Sequence, residues 1–378
     1  MTFFYDFVYG YRRYFSCRCV QIVYRGGVFE VTNNVFLTTG MVSQFPVDYA
    51  HCAVLGVMRK LLMIYMNGPY PTRLRAREIE AISTRLVCCA EYCPSELARR
   101  PRALSHVKYW KATEFRSFLC YTGVVALRGI VKEEVYGNFL LFSMGMRILL
   151  APDDSLIRNA LAKELLSNFV QHAIQLFGDH VSTYNLHAIT HLSDEALQCG
   201  AWLDTISAFP FENFLYQLKR LLRKPGATLQ QVVNRTYESR ALRPPKVSTA
   251  KKFMRLHNEG PLALGYTHCQ QYKSVVTLHE RFGTSERDCC VLTRTDDQVG
   301  IIRNVLKDDD EIYFVLNLYN RKADLFHEPV QSSQFGIHVV GELNTIVTVR
   351  EIGDCRKCFR MPLSHANDSF VTSALLHD

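Results

Sequence analysis

No stretch of the chain reaches the roughly 18 apolar residues that a membrane-spanning helix needs. There is no glycine-rich phosphate loop and no G-x-S-x-G turn. The best-marked nucleotide-binding and serine-hydrolase signatures are therefore missing. No repeat period and no low-complexity tract occurs, which excludes a solenoid. The opening, MTFFYDFVYGYRRYFSC, lacks the basic and apolar regions of a secretion signal. It also lacks a polar lead-in and reads like the middle of a domain, so an N-terminally truncated chain is expected. Cysteine is present, but its 13 copies are odd in number, scattered and partly adjacent (Cys88–Cys89, Cys289–Cys290). That is no disulfide framework, and a reducing intracellular compartment is expected.

What is there can fold. Hydrophobic residues make up 48% and charged residues 21%, so the chain can bury a core and is not disordered by composition. Its 378 residues allow two or three domains. The net charge of +8 is concentrated. From Glu212 to Arg255 there are eleven Lys or Arg against two Glu, a net +9 in that segment. A local basic belt of this kind suits a polyanion, because each neutralised phosphate releases counterions.

Patterning divides the chain into four stretches. Residues 1–74 begin with short strand-like runs (VFEV, NVFLTT) around turns at Gly26-Gly27 and Asn33-Asn34. Asp48 then opens a long helix in which Val54, Val57, Met58, Leu61, Leu62 and Tyr65 share one face, ended by Asn67-Gly68-Pro69. Residues 75–200 read as helices over 75–89, 94–100, 111–128, 132–150, 153–177 and 182–198. Residues 201–245 hold a helix over Ser207–Arg223, a second over 228–240 and a linker at Arg243-Pro244-Pro245. Residues 246–378 read as a mostly-β domain with strands in CCVLTR, VGIIRNVL, IYFVLNLY, GIHVVGEL and TIVTVREI.

Several constellations could carry chemistry. In SAFPFENFLYQLKRLLR, the residues Phe211, Phe214, Leu215, Leu218, Leu221 and Leu222 form an apolar stripe, while Glu212, Tyr216, Lys219, Arg220 and Arg223 share a second face. Either this is a docked amphipathic helix with a solvated basic face, or it sets a metal-binding carboxylate beside phosphate-binding cations that continue to Lys224. Asp48 in Asp48-Tyr49-Ala50-His51 is either a helix N-cap or a strand-end carboxylate for Mg²⁺, with His51 orienting or ligating. His187 and His191 stand four apart on a helix and can chelate Zn²⁺ or simply pack. Cys17 and Cys19 could complete such a site, though their one-residue gap is tight. Cys355 and Cys358 have the better spacing, without an obvious second pair, and read as free thiols. Trp110 to Arg116 sets an aromatic among cations, which inward packing of Phe115, Phe118 and Leu119 explains equally well.

Four blocks, FPVDYAHCAVLGVMRKLL, ARRPRALSHVKYWKATEFRSFLCYTG, NLHAITHLSDEALQCGAWLDTISAFPFENFLYQLKRLLR and HNEGPLALGYTHCQQYK, occur in an order that resembles animal transposases of the CACTA (En/Spm-like) group. The resemblance runs from about residue 10 to the end. It implies an α+β chain: a partial ribonuclease-H-like core, a large helical insertion and a small mostly-β C-terminal domain. It also implies DDE chemistry, in which two Asp and one Glu hold two Mg²⁺ ions for attack on phosphodiesters. Asp48 then matches the second Asp, and Glu212 the final Glu. His187 and His191 match a His pair that joins two Cys on structural zinc. DNA is the implied partner, contacted through Lys219, Arg220, Arg223 and Lys224, with a homo-oligomer and a nuclear location in keeping.

The chain departs from that pattern in two places. The family has C-x-x-C where Cys17 and Cys19 give C-x-C. The first catalytic Asp should lie upstream, yet only Asp6 precedes Asp48, in a different context. With one carboxylate missing, two-metal catalysis is expected to fail. The leading expectation is thus a transposase-derived fragment or domesticated protein that keeps DNA binding. An active transposase whose first Asp is Asp6 or lies upstream is the enzyme alternative, and a protein-interaction scaffold is the third.

Overall fold

The structure is a computed structural model that describes residues 21–24, 27–30, 46–69, 72–242, 251–363 and 369–376. Its contacts divide the chain into Met1–Asp48 and Tyr49–Asp378. In the first unit, β1 (Gln21–Tyr24) and β2 (Gly27–Glu30) form an antiparallel pair, with Gln21 opposite Glu30 and Tyr24 opposite Gly27. β2 falls on the expected VFEV strand. Asp6, Cys17, Cys19, the NVFLTT run and the 243–245 linker lie outside the described residues.

The second unit is α+β: a helical region followed by an antiparallel β region. It opens with a π-type helical stretch, Ala50–Met58, that runs straight into α1 (Arg59–Asn67). All six residues of the expected apolar face, Val54 through Tyr65, are buried. The helix stops where Gly68 turns extended before Pro69. α2 (Ala76–Cys89) starts with the Glu78 carboxylate accepting the Arg75 amide at 2.7 Å. The expected helix over 94–100 is absent; those residues form turns. The cause is tertiary. Ser95 donates through its amide and hydroxyl to Asp288, and Glu96 accepts from the Arg281 amide at 2.7 Å. These polar groups serve the β region rather than a helix of their own.

Helical turns over Ala112–Ser117, Phe118–Thr122 and Gly123–Ala126 bury Phe115, Phe118 and Leu119. α3 (Glu133–Leu150) is buried on nearly every side and packs on α4 (Asn159–Phe177), where Phe142 and Phe169 stack at 4.4 Å. Gly145 permits that approach, since a Cβ there would meet the Leu166 side chain at 2.7 Å. The expected helix over 182–198 is a continuous helical run from Tyr184 to Cys199, in which a 3-10 turn at Ile189–His191 separates α-helical Tyr184–Ala188 from α-helical Leu192–Cys199. α5 (Phe209–Leu221) and α6 (Thr228–Leu242) follow as a hairpin.

The β region holds β3 (Lys252–His257), β4 (Gln270–Val276), β5 (Arg281–Gly283), β6 (Cys290–Thr293), β7 (Val299–Asp308), β8 (Glu311–Asp324), β9 (Ile337–Glu351), β10 (Cys355–Pro362) and β11 (Phe370–Ala374). The pairings β7–β6–β10–β11–β9–β8 return to β7, so six strands close into an antiparallel ring, with β4, β3 and β5 added beside β7. Closure leaves those six strands without an open edge. GIHVVGEL and TIVTVREI, expected as two strands, are one: β9 runs through Asn344 because β8 pairs along most of its length. Val291, Ile301, Phe314, Leu316, Val340 and Cys358 are among the side chains that fill the ring. Cys355 and Cys358 are buried free thiols.

Two buried cations clasp the helical region to this ring. Arg147 of α3 donates to the carbonyls of Cys120 (2.7 Å), Phe335 and Ala374 (both 3.1 Å). Lys357 of β10 is fully buried, with its ammonium 2.7 Å from both Glu96 Oε2 and Asp288 Oδ1. Burial alone would raise the Asp288 carboxyl, yet the charge and hydrogen bond of Lys357, with the bonds from Ser95, hold it below its ordinary 3.8.

Candidate functional site

Glu212 sits in the first turn of α5, where the exposed amides of a helix start favour a carboxylate. Its Oε1 is 3.0 Å from His51 Nε2 on the opening helical stretch of the same unit. The start of α5 is pinned there by three more contacts. The Phe209 ring meets the Tyr49 ring edge-on at 5.9 Å. The Ser207 hydroxyl accepts the Phe209 amide at 3.1 Å. Just upstream, Asp204 accepts from the Tyr49 hydroxyl and from Arg116 Nη2 at 2.6 Å, while Arg116 Nε donates to the Tyr49 oxygen at 3.0 Å. Burial pushes the Tyr49 hydroxyl far above the ordinary tyrosine range, so it stays a donor. Burial alone would lower the Arg116 guanidinium, but Tyr49 and Asp204 raise it well above its usual value, so it stays charged.

Beyond that anchor the helix leaves the core. No residue of α5 is buried, and Phe211 is 67% exposed, with Phe214, Leu215 and Tyr216 also exposed. The docked-helix expectation is therefore corrected. The periodicity gave an apolar face correctly, but a stripe carries no statement of what covers it. Lys219, Arg220, Arg223 and Lys224 are all exposed on this helix and the turn after it. Among the described residues none of the four has an acidic partner within ion-pair reach. The turn into α6 is bridged by Gln231, whose side chain accepts the Arg223 amide at 3.0 Å and donates to the Lys224 and Gly226 carbonyls at 2.9 and 2.7 Å. The four cations thus stand on a supported hairpin, in water.

The comparisons with known proteins bear on another part of the chain. Residues 256–375 match a family model described as a domain of unknown function, DUF8592. That stretch starts inside β3 and ends one residue after β11, so it coincides with the β region and contains neither Glu212 nor the four cations. No curated protein and no solved structure matches the chain.

The remaining sequence candidates fall as follows. Asp48 is half-buried and directly precedes Tyr49, in the first unit. His187 is exposed and His191 half-buried; their Nε2 atoms are 3.2 Å apart, a separation two imidazoles on one tetrahedral zinc would also have. Gly56 brings the opening helix against Asn185, two residues before His187, where a Cβ would clash at 2.5 Å. Among the described residues, the His, Cys, Asp and Glu side chains close enough for three to share an ion are His268, Cys269 and Asp308. Glu212 is not among them, so the described residues do not assemble around it the two-magnesium set that the resemblance implies.

Sequence reasoning named His51 and Glu212 but not their bond. It missed Arg116 and Asp204 as a pair and read Arg116 only as a cation beside an aromatic. Its partners stand 67 and 88 residues away, and nothing local marks them.

Proposed function

We propose that the chain is a transposase-derived DNA-binding protein of CACTA-like descent, acting in the nucleus without strand-transfer chemistry of its own. The α5–α6 hairpin carries the reading. It exposes Lys219, Arg220, Arg223 and Lys224 without counter-charges among the described residues, in the segment that holds the chain's whole basic excess. Phosphate contacts use solvent-facing cations that no internal carboxylate neutralises. In this reading Asp48 and Glu212 are surviving carboxylates of a partial ribonuclease-H-like core, and His51 engages the final one, Glu212. Magnesium, where bound, would supply Lewis-acid activation of a phosphodiester, with Asp48 and Glu212 as the carboxylates that the resemblance assigns to it.

A second reading is favoured by the exposed Phe211, Phe214 and Leu215, which offer an apolar face to a protein partner or a second copy. Retention of duplex DNA by the purified chain separates the two. DNA binding predicts retention that drops steeply as salt rises and is lost when Lys219, Arg220 and Arg223 become Ala. Absent or salt-independent retention, with self-association that weakens in Phe211→Ser/Phe214→Ser, would replace it with the protein-interaction reading.

A further inference from the structure

The β region brings together three ligating side chains of different chemistry, far from Glu212 in sequence. Gln270 pairs with Lys307 in the antiparallel β4–β7 ladder. Extending that register by one residue sets Cys269 opposite Asp308, so both side chains leave the sheet on the same face. The β7–β8 connection is a tight turn through Asp309, whose positive φ of 47° closes it directly after Asp308. On the other side, the Cys269 amide donates to the Tyr266 carbonyl at 3.3 Å, so the chain bends just before the strand. That bend folds His268 back over the pair. His268 Nε2 lies 3.1 Å from Asp308 Oδ2 and 3.8 Å from Cys269 Sγ, and the three ligand atoms all fall within 4.8 Å of one another.

We propose that His268 Nε2, Cys269 Sγ and Asp308 Oδ2 form a binding site for a divalent transition ion of the zinc class, with one coordination position open to water. Tetrahedral zinc with bonds of about 2.0–2.3 Å keeps its ligand atoms roughly 3.3–3.6 Å apart, between the 3.1 and 3.8 Å that separate His268 Nε2 from Asp308 and Cys269. One thiolate, one imidazole and one carboxylate suit Zn²⁺ or Co²⁺ better than Mg²⁺ or Ca²⁺, which take oxygen. Burial supports the same assignment. Cys269 is 8% exposed and sits on Leu306 and Val315, which fix its sulfur from below. The His268 side chain, at 62% exposure, leaves the outer side open for water or a further donor. The ion would tie the 258–269 loop to the β7–β8 turn. This site is independent of the DNA-binding reading and of the His187–His191 pair.

The test uses the full chain, stripped of metal and titrated with Co²⁺ and then Zn²⁺. Thiolate-to-cobalt absorption and stoichiometry are the readouts. One equivalent should be lost in Cys269→Ser, in His268→Gln and in Asp308→Asn, with affinity at this site falling by more than about 100-fold, beyond the 10–100-fold that outer-sphere changes cost. His187→Ala should keep that equivalent. His268→Gln changes an exposed side chain, so it tests the site even if Cys269→Ser perturbs the loop. Equal stoichiometry and affinity in the parent and all three variants would overturn the proposal, as would a parent that binds neither ion.

Discussion

Lys357 and Arg147 on one side, and Lys219, Arg220, Arg223 and Lys224 on the other, carry the same charge in opposite surroundings. Lys357 is fully buried, and two carboxylates from sequence-distant segments meet its ammonium. Arg147 spends its guanidinium on three backbone carbonyls. These cations have their partners inside the protein, and their work is to hold the helical region against the β ring. The four cations of the α5–α6 hairpin are exposed and lack acidic partners among the described residues. Positive charge alone therefore says little; the presence of an internal partner separates a structural cation from one available to a ligand.

The contrast can be broken from the buried side first. Lys357→Met removes the shared counter-charge of Glu96 and Asp288 and should cost roughly 3–5 kcal/mol in denaturant unfolding, because it strands two buried carboxylates. Adding Glu96→Gln and Asp288→Asn should recover much of that loss. Acid should act on the same cluster. The folded value of the Asp288 carboxyl lies below its unfolded one, so its contribution is fully present above the ordinary carboxylate range and is lost as pH falls through the folded value. The unfolding midpoint should be level above about pH 5 and drop below about pH 4, and Lys357→Met should flatten that drop. A smaller effect is expected at the anchor of α5. Tyr49→Phe deletes the hydroxyl between Arg116 and Asp204 but leaves their direct bond, for a cost of about 1 kcal/mol. Smallest of all, Lys219→Ala/Arg220→Ala/Arg223→Ala should leave stability within roughly 0.5 kcal/mol of the parent, as exposed substitutions do. A large loss there would mean that the hairpin cations have internal partners after all.

Local patterning carried the fold where local forces set it. The Val54–Tyr65 face, the Gly68 stop, the start of α2 and the change to β structure beyond residue 250 were all readable from periodicity and turn residues. What could not be read was decided across the chain. The 94–100 segment is turns because Ser95 and Glu96 meet Asp288, Arg281 and Lys357, more than 180 residues later. The ring closure rests on β6–β10 and β9–β11 pairings between strands distant in sequence, which no strand announces by itself. At the candidate site, Glu212, His51 and the four cations were visible as residue types at telling positions. The bond between Glu212 and His51, and the Tyr49–Arg116–Asp204 network that anchors the helix, were not. The apolar stripe of α5 misled because sequence encodes amphipathicity without encoding a partner.

The most direct measurement is the salt dependence of DNA affinity for the parent chain and for Lys219→Ala/Arg220→Ala/Arg223→Ala. Each phosphate contact contributes about 0.9 to the slope of log affinity against log salt. The account predicts a steep slope for the parent and a slope shallower by about 3 for the variant, with folding unchanged. Equal slopes, or a parent whose affinity does not respond to salt, would contradict it.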